Sequence, residues 1–139
     1  VTDSTDAEVS DELERAARLV VAALAPRAVL LYGSRLSTTP PADADTDIAV
    51  LLGTPAVDPF ALAKLRTDLE AILRTDADLV VLDDASPILA MQVLRKHRML
   101  YREDESAWHE FVARTLTDYF DLKRTRAPIE AALLSSSQT

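Results

Sequence analysis

Two short apolar runs, 28–32 and 46–52, are separated by a polar stretch that carries Pro40-Pro41. That stretch has no room for a full crossover helix, and parallel neighbours need a connection of a dozen or more residues. The two runs are therefore antiparallel strands, or strands joined through a single helical turn after Gly33. Either choice gives a mixed sheet and excludes a doubly wound one.

The rest of the chain supplies the helices. Val9, Leu13, Ala16, Val20 and Leu24 share one helical face, which predicts a helix over 7–24, with caps offered by Ser4 to Asp6 and a stop at Pro26. Leu62, Leu65, Leu69 and Ile72 predict a helix over 58–74, and 78–82 reads as a third strand. Ser86-Pro87 is a cap followed by a first-turn proline, opening a helix to about His97. Residues 99–101 read as a short edge strand. Trp108, Phe111, Val112, Thr115, Leu116, Tyr119 and Leu122 mark a final helix to about 134, with Pro128 near its end, and 135–139 as a frayed tail. The expected architecture is an α/β (α+β) domain: a small mixed sheet with flanking helices and a helical C-terminal third. One domain spans 1–139, with its core over about 7–101 and a helical segment over about 103–134.

Composition removes several function classes. The 139 residues include no cysteine, so disulfide scaffolds and thiolate metal or redox sites are excluded. The formal net charge of −8 argues against a general nucleic-acid binder. An apolar fraction of 48% argues against a disordered acidic tail. The N-terminus is acidic, unlike a signal peptide, and no apolar run approaches the roughly 20 residues of a membrane helix. A cytoplasmic protein without membrane contact is the expectation.

The chemistry lies between the first two strands. Gly33-Ser34-Arg35 leaves the first, residues 35–44 intervene, and Asp45-Thr46-Asp47 enters the second. Glycine has no Cβ, so the backbone can come close to a ligand, and turn amides with the Ser34 hydroxyl can donate to phosphate oxygens. Side chains two apart on a strand share a face, so Asp45 and Asp47 project together. Paired carboxylates repel and call for a cation. One or two carboxylates plus substrate phosphates is the usual Mg²⁺ arrangement. Asp78 heads the third strand and reaches the same cluster if that strand lies beside the second. Three carboxylates can hold two metal ions. Arg35 is a further candidate phosphate contact.

Gly33-Ser34, ten residues, then Asp45-x-Asp47 resembles the signature of the nucleotidyltransferase superfamily that includes DNA polymerase beta. The small size, the Gly-Ser-Arg start and the helical C-terminal third resemble the minimal nucleotidyltransferases, the MNT antitoxins of HEPN/MNT toxin–antitoxin systems. Similarity is specific over 30–52 and weaker through 78–82 and 94–101. The resemblance implies that Gly33 and Ser34 bind triphosphate, that Asp45, Asp47 and Asp78 bind Mg²⁺, and that Asp78 helps deprotonate the acceptor. It implies ATP as substrate, AMP transfer to a tyrosine of a HEPN ribonuclease toxin, and a hetero-oligomer with that toxin. Two alternatives accompany it: transfer to a small-molecule acceptor such as an aminoglycoside, or a non-catalytic antitoxin that blocks its toxin by binding. The chain departs from the pattern at three places. Leu36 to Pro41 lack the second glycine common after Gly-Ser-Arg, Ala44 stands where a Ser often precedes the first Asp, and Thr46 replaces the common Ile or Leu.

Other residues carry simpler readings. Arg102 and His109 imitate the spacing of HEPN ribonucleases, but helical spacing assigns them to one exposed face among acids. Arg95-Lys96-His97-Arg98 suits a helix C-terminus, as do Lys123, Arg124 and Arg126 near the last helix end. All the excess negative charge lies within 1–83, and 84–139 is balanced. That asymmetry suggests docking of a basic, RNA-handling protein partner through complementary charge, with no direct nucleic-acid contact.

Overall fold

The computed structural model describes residues 4–33, 36, 45–53 and 57–137, with side chains from 11 to 134. Helix α1 runs over Ser4–Leu24, three residues earlier than periodicity predicts, so the expected caps at Ser4 to Asp6 fall inside its first turn. Their side chains, like that of Val9, lie outside the described residues. The helix buries Leu13, Ala16, Ala17 and Val20, the 3-and-4 spacing of one helical face. Strand β1, Ala28–Tyr32, follows buried Pro26.

Strand β2, Thr46–Leu51, pairs antiparallel with β1, from Ala28 opposite Leu51 to Tyr32 opposite Asp47. This resolves the two connections that the sequence allows in favour of the antiparallel one. The Leu36 N–H closes on the Gly33 carbonyl at 3.1 Å, the helical turn expected after Gly33. Helix α2, Pro59–Leu73, is capped by Asp58, whose carboxylate accepts from the Phe60 N–H at 3.0 Å. It ends at Arg74 in the left-handed conformation, with the Arg74 N–H on the Glu70 carbonyl. It also serves as the crossover that lets strand β3, Ala77–Val81, lie parallel to β2.

Helix α3, Pro87–Arg95, starts at Ser86, whose Oγ accepts from the Leu89 N–H at 3.1 Å. It stops two residues short of His97, because strand β4 is longer than expected and takes His97–Arg102. Strand β4 pairs antiparallel with the free side of β1, giving the order β3-β2-β1-β4. Helix α4, Glu105–Ser137, runs through Pro128. Lys123, Arg124 and Arg126 therefore sit within it rather than at its end. Arg102 belongs to β4 and pairs with Glu105 at 2.8 Å, so it shares no helical face with His109.

Alternation along the strands divides the core. Val29, Leu31, Ile48 and Val50 pack with Leu13, Val20, Leu65 and Leu69 of α1 and α2. Ala28, Leu30, Ala49 and Leu51 pack with Ala90, Val93, Trp108 and Phe111 of α3 and α4. The aromatic stripe of α4 is core as far as Thr115 and then emerges, with Phe120 exposed. No described helix is long and apolar enough to cross a membrane.

A carboxylate braces the far end of the sheet. Asp83 lies in the short turn after β3 and accepts from the Leu52 and Gly53 N–H groups at 2.7 and 2.8 Å. Hydrogen bonds to charged groups contribute about 1.5–3 kcal/mol each, less where water competes. Asp83→Ala is expected to cost roughly 2 kcal/mol, read as a lower urea midpoint at unchanged m-value.

Candidate active site

The site forms at the end of the sheet where β1 finishes and β2, β3 and β4 begin. The Thr46 N–H donates to the Asp76 carbonyl at 2.9 Å, fixing the start of β2 against β3. Thr46 is buried on the α1–α2 side, so Asp47 points to the other face. In the β2–β3 ladder Asp47 stands directly opposite Asp78. In the β1–β2 ladder it stands opposite Tyr32, and Tyr32 in turn opposite His97 on β4. Registered partners share a sheet face. Asp78, Asp47, Tyr32 and His97 thus form a row across all four strands, on the α3–α4 side.

Charge in this row is unbalanced. The Asp47 carboxyl is pushed above its ordinary value by burial, then by the charges of Asp78 and Asp45, and by a hydrogen bond with Asp78. Tyr32 is pushed up to about 12 by burial and by the charges of Asp47 and Asp78. Its phenol stays protonated across the physiological range. His97 is tied back to α3: Nδ1 lies 3.1 and 3.2 Å from the Val93 and Leu94 carbonyls. Both partners are acceptors, so Nδ1 carries the proton. The ring meets Trp108 edge-on at 5.6 Å.

Gly33 is fitted to the carboxylates. Its φ is +87°, and a Cβ there would overlap the Asp47 carboxylate. This is the close approach for which a strand-end glycine is needed. Ser34 and Arg35, the other two expected phosphate contacts, lie outside the described residues.

The expected carboxylates are thus not equivalent. Asp47 and Asp78 are brought together, while Asp45 precedes β2, is exposed, and acts on Asp47 through its charge alone. Among the described residues no three His, Asp or Glu side chains gather tightly enough to enclose a metal by themselves. A repelling carboxylate pair open to solvent still fits Mg²⁺, which commonly takes one or two carboxylates and completes its shell with phosphate and water. Sequence reasoning missed Tyr32 and His97 as members of the row. Tyr32 could have been found from strand parity, because Tyr32 and Asp47 end facing runs. The place of His97 depends on the β1–β4 register, which leaves no local signal.

Comparison with known proteins gives the same reading of the fold. No curated protein matches the chain in sequence. A chain from the crystal structure of a toxin–antitoxin with AMP-PNP is 28% identical, with a TM-score of 0.74, over 87% of this chain and 98% of that one. A chain from the structure of a tri-AMPylated Shewanella oneidensis HEPN toxin in complex with MNT antitoxin is 25% identical, with a TM-score of 0.75, over 90% and 98%. A chain of the MntA-HepT toxin–antitoxin is 25% identical, with a TM-score of 0.74, over the same shares. The family model described as polymerase beta, nucleotidyltransferase matches residues 14–106, well over half of the chain and every strand of the sheet. The protein belongs to the polymerase beta nucleotidyltransferase family.

Proposed function

We propose that the protein is an antitoxin that transfers AMP from ATP to a tyrosine of a HEPN ribonuclease toxin, in a Mg²⁺-dependent reaction in the cytoplasm. The observation that carries this reading is the pairing of Asp47 with Asp78 beside Gly33. Similarity to chains from an AMP-PNP complex and from a complex with a tri-AMPylated HEPN toxin supports the choice of nucleotide and partner.

Asp47 and Asp78 would hold Mg²⁺, with Asp45 adding charge and a ligand from the mouth of the site. Bound there, Mg²⁺ supplies positive charge that offsets the triphosphate and the developing charge of the transition state. Gly33 lets the main chain lie against the phosphates, and Ser34 and Arg35 donate to their oxygens. The acceptor hydroxyl attacks the α-phosphorus in line. The new bond joins that oxygen to phosphorus, the bond to the bridging oxygen of pyrophosphate breaks, and Asp78 takes the hydroxyl proton. Tyr32 remains a neutral phenol beside the carboxylates and adds no negative charge where the triphosphate must sit.

The test uses the full-length protein with ATP, Mg²⁺ and the protein encoded beside it, followed by intact-mass spectrometry of both chains. An AMP-sized increment on the neighbour, absent with the Asp45→Ala/Asp47→Ala double variant, is expected. Neutralisation of the toxin without an increment would replace transfer by steric blocking. An increment on an aminoglycoside instead would move the acceptor to a small molecule.

A further inference from the structure

Strand β4 is an edge strand: in the sheet order its second side is unpaired among the described residues. Beside it lies a groove of about 490 Å³ between α1 and β4. Its walls are largely apolar, from Leu13, Ala17 and Val21 of α1 and Leu100 and Tyr101 of β4. An unpaired strand edge next to an apolar groove is the setting for strand addition, in which main-chain hydrogen bonds give affinity and the groove takes alternate side chains.

Charge distinguishes the occupants. Residues 95–102 carry four basic residues and no acid, in a chain of net charge −8; Arg95 is held on Tyr119 and Arg102 pairs with Glu105, which leaves Lys96 and Arg98 to the edge of β4. Glu14, Arg18 and Arg98 line the groove; Glu14 and Arg18, one turn apart on α1, pair with each other at 2.5 Å, which leaves the groove the single positive charge of Arg98. Arg98 and Lys96 are exposed. A second copy of β4 would bring the same basic residues against themselves, and like charges across a strand pair are destabilising. Nucleic acid would meet the arginines but gain little from aliphatic walls. We propose that the groove between α1 and β4 docks an extended, acidic segment of a partner protein, added as a fifth strand beside β4, with apolar side chains at alternate positions against α1. This goes beyond AMP transfer and uses no residue of that site.

The probe is a fluorescein-labelled octapeptide alternating valine and glutamate, with its valine–lysine counterpart and poly(U) RNA as comparisons, titrated onto the full-length protein. The acidic peptide is expected to bind, to protect those β4 amides that point away from β1 from hydrogen exchange, and to lose affinity about tenfold or more in Arg98→Glu, an exposed position. Ala22→Trp, which fills the groove from its exposed wall, is expected to block it without touching the core. Failure of the acidic peptide to bind, or equal binding of the lysine peptide, overturns the proposal. So does binding without protection of the β4 amides. Tighter binding of poly(U), lost in Arg98→Glu, would assign the surface to RNA. A dimer in sedimentation that Arg98→Glu dissociates would assign it to a second copy.

Discussion

Asp47→Asn is expected to abolish AMP transfer while leaving the fold at least as stable as the parent. Loss of one well-placed electrostatic group in an active site costs about 10²- to 10³-fold in rate, and removal of a candidate metal ligand belongs at the upper end. The stability result runs the other way for a physical reason. The Asp47 carboxyl titrates above its ordinary value because burial and the charges of Asp78 and Asp45 disfavour its ionised form. A carboxyl whose pKa is raised by folding binds its proton more tightly in the native state. Its stabilisation is present at acid pH and is lost as pH rises through the folded value. At neutral pH the ionised group therefore works against the fold, and the neutral amide removes that opposition. In thermal unfolding without divalent cations, Asp47→Asn is expected to melt at or above the parent at pH 7, and the difference to shrink as pH falls. Added Mg²⁺ is expected to raise the melting temperature of the parent more than that of the variant. A variant that melts well below the parent and recovers nothing on acidification would make Asp47 a structural residue.

Gly33→Ala is expected to be as damaging, by a different route. The native φ of +87° is costly for any residue with a Cβ, about 1–2 kcal/mol. The added methyl would also occupy the space of the Asp47 carboxylate. Gly53 provides the control. It too has a positive φ, +72°, but its added Cβ would meet the flexible Arg27 side chain, 2.7 Å from Nε, at the opposite end of β2. Gly53→Ala is expected to lower stability by a similar amount and to keep the transfer rate within a few-fold. Gly33→Ala is expected to lose most of the rate even at temperatures where it is fully folded. Circular dichroism melts and toxin modification rates on both variants separate strain from loss of the site.

Much of the fold was legible because hydrophobic alternation is read locally. Leu31, Ile48 and Val50 announce buried strands, and Leu65 and Leu69 a helix face, whatever lies elsewhere in the chain. The carboxylate spacing was legible for the same reason: Thr46 turned inward places Asp47 outward. What escaped depends on distant pairing. The stretch Arg95-Lys96-His97-Arg98 reads equally well as a basic helix end or as the start of an edge strand. Its register with Tyr32 decides, and that contact spans 65 residues of chain. Asp83 gave no sign of its brace, because its two donors lie about thirty positions upstream. Pro128 stands inside α4, which continues past it as the pattern to about 134 predicts. The Arg124 carbonyl that loses its N–H partner is on an exposed stretch, where water can supply the bond.

The parity of β2 has a consequence for how this protein can change over evolution. One strand serves two masters, Thr46, Ile48 and Val50 toward α1 and α2, Asp47 on the opposite side. Insertion or deletion of a single residue inside β2 would turn the aspartate toward α1 and α2 and exchange Ile48 and Val50 with Ala49 and Leu51 between two cores shaped for different side chains. A deletion of two would keep the polarity but set Asp47 against Val80 instead of Asp78. Length is therefore frozen within the strand. The one departure from the family signature that falls inside β2, Thr46, changes the side chain and leaves length and parity as they were.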